Sequence, residues 1–236
     1  MTGHRADGRR HPPNWLLHGG RPAGRWMIRR RWDVREHGSA LVPPQGPVIV
    51  AANHTGVVDG PLLAIFGPRP VHALTKEEMF HGGLGTLLRV TGQIELDRFA
   101  TDLRAIRTCL HVLDHGEAVG IFPEGNRGAG DLERFRNGAA YLALVTGAPI
   151  VPLMMYGTRP AGGGKNALPR PHGVIDLVYG APFRVEQRPW PRTRRLVADT
   201  SAALHARMLE DLATGLAFTG QTMPGPIPAA EAQEIS

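Results

Sequence analysis

The residues whose types and spacing could do chemistry begin at Asn53-His54 and end five residues on at Asp59. A histidine held by a carboxylate is suited to act as a general base. The carboxylate fixes the imidazole tautomer and stabilises the imidazolium that forms when the ring takes a proton. On a continuous helix, residues five apart lie about 140° apart around the axis, so these two side chains meet only if the chain between them turns. Gly56 permits such a turn. The spacing alone leaves a second reading open, in which Asp59 caps a helix and His54 is an ordinary loop residue.

Two further polar clusters share the same setting. Asn53/His54 follow the apolar run 47–52, Asp97/Arg98 follow 93–96, and Glu124/Arg127 follow 118–122. In an open parallel sheet the C-terminal strand ends line one crevice, so the three clusters converge if these runs are parallel strands. A base and two arginines in one cleft suit a phosphate-bearing substrate that offers a proton.

The elements that must position them follow from the apolar patterning. Short, β-branched, uncharged runs predict strands at 32–36, 47–52, 71–75, 93–96, 118–122, 150–156 and 174–179. Helices are predicted after Gly60-Pro61 and over 83–90, 101–113, 139–146 and 192–216. In the 101–113 helix, Leu103, Ile106, Leu110 and Leu113 form the apolar stripe, with Arg104 and Arg107 outward. Strands alternating with helices give an α/β fold with a mostly parallel central sheet flanked by helices, in a single domain. The 236 residues suffice for one sizeable core. The domain is expected over 25–217, with a structureless basic arm at 1–24 and a loose tail at 218–236.

Charge is uneven. Residues 1–35 carry nine arginines against two aspartates, while the whole chain has a net charge of +6. The basicity therefore belongs to the N-terminal arm and implies no folded nucleic-acid groove. Trp26 to Trp32 interleaves aromatics with arginines, which suits an anionic membrane surface. The stretch between Arg136 and Arg159 is uncharged, but Pro149 and Pro152 break it, so no membrane span is predicted there.

Several chemistries lack their residues. None of the serines sits in Gly-x-Ser-x-Gly, and Cys109 lies mid-helix without an electropositive setting, so no covalent nucleophile is evident. The run Gly162-Gly-Gly-Lys165-Asn166 imitates a phosphate loop, but Arg159 stands at the required first glycine and Asn166 replaces Ser/Thr. Gly125–Gly130 fails the dinucleotide spacing, so neither ATP nor NAD is indicated. A lone Cys109 excludes an internal disulfide, and His111 and His115 are read as complementing a helix C-terminus rather than holding a metal.

Four blocks in order are more specific than any one of them: Asn53-His54-x4-Asp59; Gly92-Gln-Ile-Glu-Leu-Asp-Arg98, preceded by Lys76-Glu-Glu-Met-Phe80; Phe122-Pro-Glu-Gly-Asn-Arg127; and Pro149-Ile-Val-Pro-Leu153. Together they span about 45–160, and the chain resembles the glycerolipid acyltransferases that include the 1-acylglycerol-3-phosphate O-acyltransferases. The resemblance implies a glycerol-3-phosphate acyltransferase-like domain in which His54 is the base and Asp59 its partner. It implies that Lys76, Arg98 and Arg127 bind the acceptor phosphate, with Glu124 and Gly125 shaping that site. Capping a helix or bracing the loop is an equal alternative for Glu124, and a strand-end salt bridge to Asp97 or Glu95 is the lesser alternative for Arg98. The implied reaction takes an acyl group from acyl-CoA or acyl-carrier protein, with no cofactor or metal, to lysophosphatidate, giving phosphatidate. Glycerol-3-phosphate, another lysophospholipid or a lipid glycan are the alternative acceptors. The expected location is the cytoplasmic face of the cell membrane, held peripherally. Two departures stand out: Gly56 where the family commonly has Ser, and Asn126 and Gly128 where it commonly has Thr and Ser.

Overall fold

The computed structural model of the chain describes residues 11–99 and 101–228. In chain order the elements are α1 (Trp15–Arg29), β1 (Asp33–His37), β2 (Val48–Ala52), α2 (Asp59–Phe66), β3 (Val71–Lys76), α3 (Gly82–Val90), β4 (Ile94–Leu96), α4 (Leu103–Asp114), β5 (Ala118–Ile121), α5 (Gly138–Thr146), β6 (Ile150–Tyr156), β7 (Val174–Tyr179) and α6 (Arg194–Thr219). The strands form one seven-stranded sheet in the order β1-β7-β6-β2-β5-β3-β4. Every neighbouring pair is parallel except β6 and β7. β2 lies at the centre, and its switch between neighbours β5 and β6 puts a crevice at its C-terminal end.

All of β2 and β6 is buried, which is why both runs are uncharged. Period-two alternation divides β2 between two cores. Ile49 and Ala51 pack in the core with α4, α5 and α6, while Val48, Val50 and Ala52 pack with Leu62, Leu63 and Phe66 of α2. Helices thus cover both faces, as the alternating pattern predicts.

Four expectations are corrected. First, 15–24 is helical rather than structureless, and residues 1–10 lie outside the described part. Weak helix formers such as Gly20 and Gly24 hid the helix, yet Gly24 lets it approach α2: a Cβ there would lie 3.1 Å from the Ile65 side chain. Second, the tail is packed at least as far as Gly225. Met223 is half-buried against the core, and the Gly225 carbonyl accepts Arg159 Nη2 at 2.5 Å.

Third, the α4 stripe keeps Leu113, with Ile106 and Leu110 partly buried against the core, but gains Ala105, Cys109 and Val112 and loses Leu103, which is 58% exposed. Asp102 caps the helix through the N–H groups of Arg104 and Ala105, so Leu103 is its first residue, about 200° around the axis from buried Ala105 and turned to solvent. Fourth, much of the arginine arm is engaged within the protein. Arg21 and Arg25 donate to the Ile65, Phe66 and Gly67 carbonyls, neutralising the C-terminal end of α2. Arg29 pairs with Glu36 at 2.9 Å and Arg35 with Asp33 at 2.7 Å. Trp32 is half-buried and donates to the Pro169 carbonyl at 3.2 Å, so it is a packing residue rather than an interfacial anchor.

Candidate active site

The turn after β2 is closed by one oxygen. Asp59 is the first residue of α2 and is fully buried, and its Oδ2 accepts from Thr55 N at 2.7 Å, Gly56 N at 2.8 Å and His54 Nδ1 at 2.9 Å. Of the two readings left open by the spacing, the geometry matches the pair: α2 has no side-chain cap, and the Asp59 carboxylate braces the turn before it while holding the imidazole. With Nδ1–H donated to Asp59, Nε2 carries the basic lone pair. The ring is further fixed by Phe122, stacked at 4.2 Å between centroids and 22° between planes.

Gly56 is required by what lies behind it. A Cβ there would overlap the Thr158 carbonyl, so this chain cannot carry the serine common at that position without moving backbone. Asn53 proves to be a structural clamp. Its side-chain amide donates to the Met155 carbonyl at 3.0 Å and accepts Met155 N at 2.7 Å, continuing the β2–β6 pairing past the end of β2.

The loop after β5 pins the peptide of His54 from both sides. Glu124 Oε1 accepts His54 N at 2.7 Å, and Gly128 N donates to His54 O at 3.0 Å. Glu124 is buried, and that burial, with Asp131 and Asp59 nearby, pushes its carboxyl up to about 8. It braces the base, the second of the two roles open to it. Gly125 has φ +74°, and a Cβ there would lie 2.6 Å from Arg136 Nε. The bare backbone thus lets Arg136 pass on to the Arg98 carbonyl, to which it donates at 3.3 Å.

The cations gather beside this loop. Arg98 donates to Glu78 Oε1 at 2.9 Å and to Asn126 Oδ1. Its salt-bridge partner is therefore Glu78 and neither Asp97 nor Glu95, because Asp97 Oδ1 accepts Phe99 N and Glu95 faces Arg104. Asn126, one of the two departures in its block, takes up a guanidinium bond. Arg127 donates to the Lys165 carbonyl at 2.5 Å and to Asn166 Oδ1 at 3.0 Å. Burial lowers the Arg127 pKa, opposed by attraction to Asp59 and aided by repulsion from Arg98. Lys76 is also lowered, by burial first, with Glu78 opposing and Arg98, Arg127 and Lys165 adding repulsion. Cations that burial and mutual repulsion both disfavour form a site that an anion would relieve.

Sequence reasoning missed the keystone. Arg159, only 3% exposed, donates to the carbonyls of Thr55 (2.9 Å), Gly128 (2.9 Å), Gly163 (2.6 Å) and Gly225 (2.5 Å). It ties the His54 turn, the loop after β5, the loop after β6 and the tail into one body. The available signal was an arginine ending the uncharged stretch that contains β6. Beside it Thr158 and Thr55 share a hydroxyl bond of 2.6 Å. Cys109 is buried and its thiol is pushed up to about 12, which removes thiolate chemistry. His115 Nδ1 bonds to the His111 carbonyl at 2.8 Å, and among the described residues no group of three or more His, Cys, Asp or Glu is arranged to hold a metal.

The family model for acyltransferases matches residues 33–156, a span that contains His54, Asp59 and all the clustered residues through Arg127. This chain belongs to the acyltransferase family. It is 30% identical over 187 residues to the 1-acyl-sn-glycerol-3-phosphate acyltransferase of Bacillus subtilis, covering 78% of this chain and 90% of that one. The protein of the same name from Borreliella burgdorferi is 33% identical over 130 residues, covering 51% and 50%. The crystal structure of the 1-acyl-sn-glycerophosphate acyltransferase from Thermotoga maritima superposes with a TM-score of 0.62 over 84% of this chain and 78% of that one. At 24% identity that likeness speaks for the acyltransferase fold alone. Among the described residues no helix is long and apolar enough to cross a membrane.

Proposed function

We propose that this acyltransferase moves a fatty acyl group from a thioester, acyl-CoA or acyl-carrier protein, to the free hydroxyl of 1-acyl-sn-glycerol-3-phosphate, giving phosphatidate. The observation that carries this reading is the His54–Asp59 pair, joined at 2.9 Å and set beside Arg98, Arg127 and Lys76. The hydroxyl proton passes to His54 Nε2 as the oxygen attacks the thioester carbon. The C–S bond then breaks, and the thiolate takes the proton from the imidazolium held by Asp59. No side chain becomes acylated. The cation group holds the acceptor phosphate, and so fixes how far the hydroxyl lies from the base.

The outward face of α1 makes the membrane contact. Trp15, Trp26 and Met27 are each more than 60% exposed, and Arg30 lies over the Trp26 ring.

An acceptor panel tests the reading: one labelled acyl-CoA offered with lysophosphatidate, glycerol-3-phosphate, other lysophospholipids and monoacylglycerol, with products identified by mass spectrometry. Phosphatidate should dominate. Equal use of the phosphate-free monoacylglycerol would defeat the proposed acceptor site. Labelled acyl-CoA alone should leave no covalently labelled protein, and an acyl-enzyme formed during turnover would overturn the direct transfer.

A further inference from the structure

The run Gly162-Gly-Gly-Lys165-Asn166 has the composition of an anion loop without the spacing of a nucleotide loop. The fold puts it against the acceptor site. It follows β6, and two arginines fix it. Arg159 holds the Gly163 carbonyl while also holding the Thr55 carbonyl next to the base. Arg127 holds the Lys165 carbonyl and the Asn166 side chain. The tail adds a third tie, Gly162 N donating to the Pro224 carbonyl at 3.3 Å. A loop rich in glycine is thereby made rigid next to the cation group.

We propose that Lys165 is a further acceptor-binding residue, presented by the anchored 157–167 loop to the phosphate group that Arg127 and Lys76 hold. This rests on the acceptor reading above and names a residue that the family blocks do not contain. Three lines support it. Arg127 Nη1 donates to the backbone carbonyl of Lys165 itself, which sets this residue beside the guanidinium and within a side chain's reach of an anion held there. Lys165 is half-buried, which limits screening of its charge by water. The Lys76 ammonium is repelled by Lys165 as well as by Arg98 and Arg127, so the four charges form one group. Glu78 neutralises part of it through Arg98. A phosphate monoester, which carries nearly two negative charges, engages more than one cation of such a group and should gain more from Lys165 than a diester with one.

Lys165→Gln provides the test, because it removes the ammonium and keeps the backbone carbonyl that holds Arg127. With lysophosphatidate as acceptor, its KM should rise about tenfold, with kcat and the acyl-CoA KM unchanged. The inhibition constant of free glycerol-3-phosphate, a soluble probe of the same headgroup, should rise by the same factor. Lys165→Arg should restore both. A lysophosphatidyl diester should lose less than the monoester does. An unchanged acceptor KM and an unchanged glycerol-3-phosphate inhibition constant in Lys165→Gln would overturn the role of Lys165. That result would leave the acceptor reading intact, provided the wild-type enzyme still requires a phosphate on the acceptor.

Discussion

Glu124 Oε1 accepts the backbone N–H of His54 at 2.7 Å, across 70 residues and from the loop after the neighbouring strand β5. The base is thus positioned by a buried acid that does not touch its ring. A neutral amide accepts the same bond, so Glu124→Gln should keep most of kcat, whereas Glu124→Ala should lose about tenfold or more by freeing the His54 peptide. Stability makes an independent check. The folded-state carboxyl titrates near 8 against an ordinary value of 4.5. Between those values the unfolded chain releases a proton that the native chain keeps, so stability falls as pH rises through that window. Glu124→Gln should flatten this slope and gain relative to wild type at pH 9. Urea midpoints at pH 5 and pH 9 decide, and an identical slope in both proteins would remove the buried-acid assignment.

Gly56 faces the Thr158 carbonyl with no room for a Cβ. Gly56→Ser, which restores the residue common in the family, should therefore destabilise this protein by about 1–3 kcal/mol. The turn that sets His54 against Asp59 should open with it, so kcat should fall too. Urea denaturation and steady-state rates at one temperature check both effects. A stable, active Gly56→Ser protein would mean that the Thr158 backbone yields easily.

The exposed face of α1 predicts a division among its residues. Trp15→Ala and Trp26→Ala together should weaken binding to anionic phosphatidylglycerol vesicles about tenfold or more, leaving activity on detergent-dispersed acceptor intact. Arg30→Glu should weaken vesicle binding in a salt-sensitive way, since an arginine near an anionic surface contributes about 1 kcal/mol. Arg25→Ala should instead lower the melting temperature, because Arg25 caps the carbonyls at the end of α2. Vesicle sedimentation and thermal melts separate the two classes. Full vesicle binding by the double tryptophan variant would exclude α1 as the contact.

What the sequence disclosed depended on range. The strands and the five-residue turn from His54 to Asp59 were legible, because burial on both faces and a glycine turn leave local signatures. The convergence of His54, Arg98 and Arg127 followed from reading their strands as parallel, which puts their C-terminal ends on one edge. Long-range polar ties were not legible. Arg159 reaches four carbonyls between residues 55 and 225, and nothing in its neighbours announces them. The helicity of α1 was hidden for a related reason, since its Gly- and Arg-rich sequence is stabilised by docking on α2 rather than by intrinsic propensity.

The last prediction separates chemistry from recognition. If His54 takes the hydroxyl proton, its contribution exists only in the transition state, so His54→Ala should lower kcat by about 10²–10⁴-fold with little change in acceptor KM. Asp59→Asn should also act on kcat, because an amide cannot stabilise the imidazolium. It should act on stability as well, since Asp59 Oδ2 also accepts the N–H groups of Thr55 and Gly56. Arg127 is different in kind. The phosphate it is proposed to hold changes charge little during the reaction, so its contacts serve ground and transition states alike. Arg127→Ala should therefore mostly raise the acceptor KM, by about 10- to 150-fold. Arg127→Lys should fall between, keeping the charge but losing the planar guanidinium whose Nη1 now donates to both Lys165 and Asn166. Some loss in kcat is expected if the phosphate also sets the distance from hydroxyl to base. Steady-state kinetics on variants first shown by circular dichroism to be folded decide the matter. A folded His54→Ala protein with near-normal kcat would end the general-base mechanism, and an unchanged acceptor KM in Arg127→Ala would move the phosphate from Arg127 to Lys76 and Arg98.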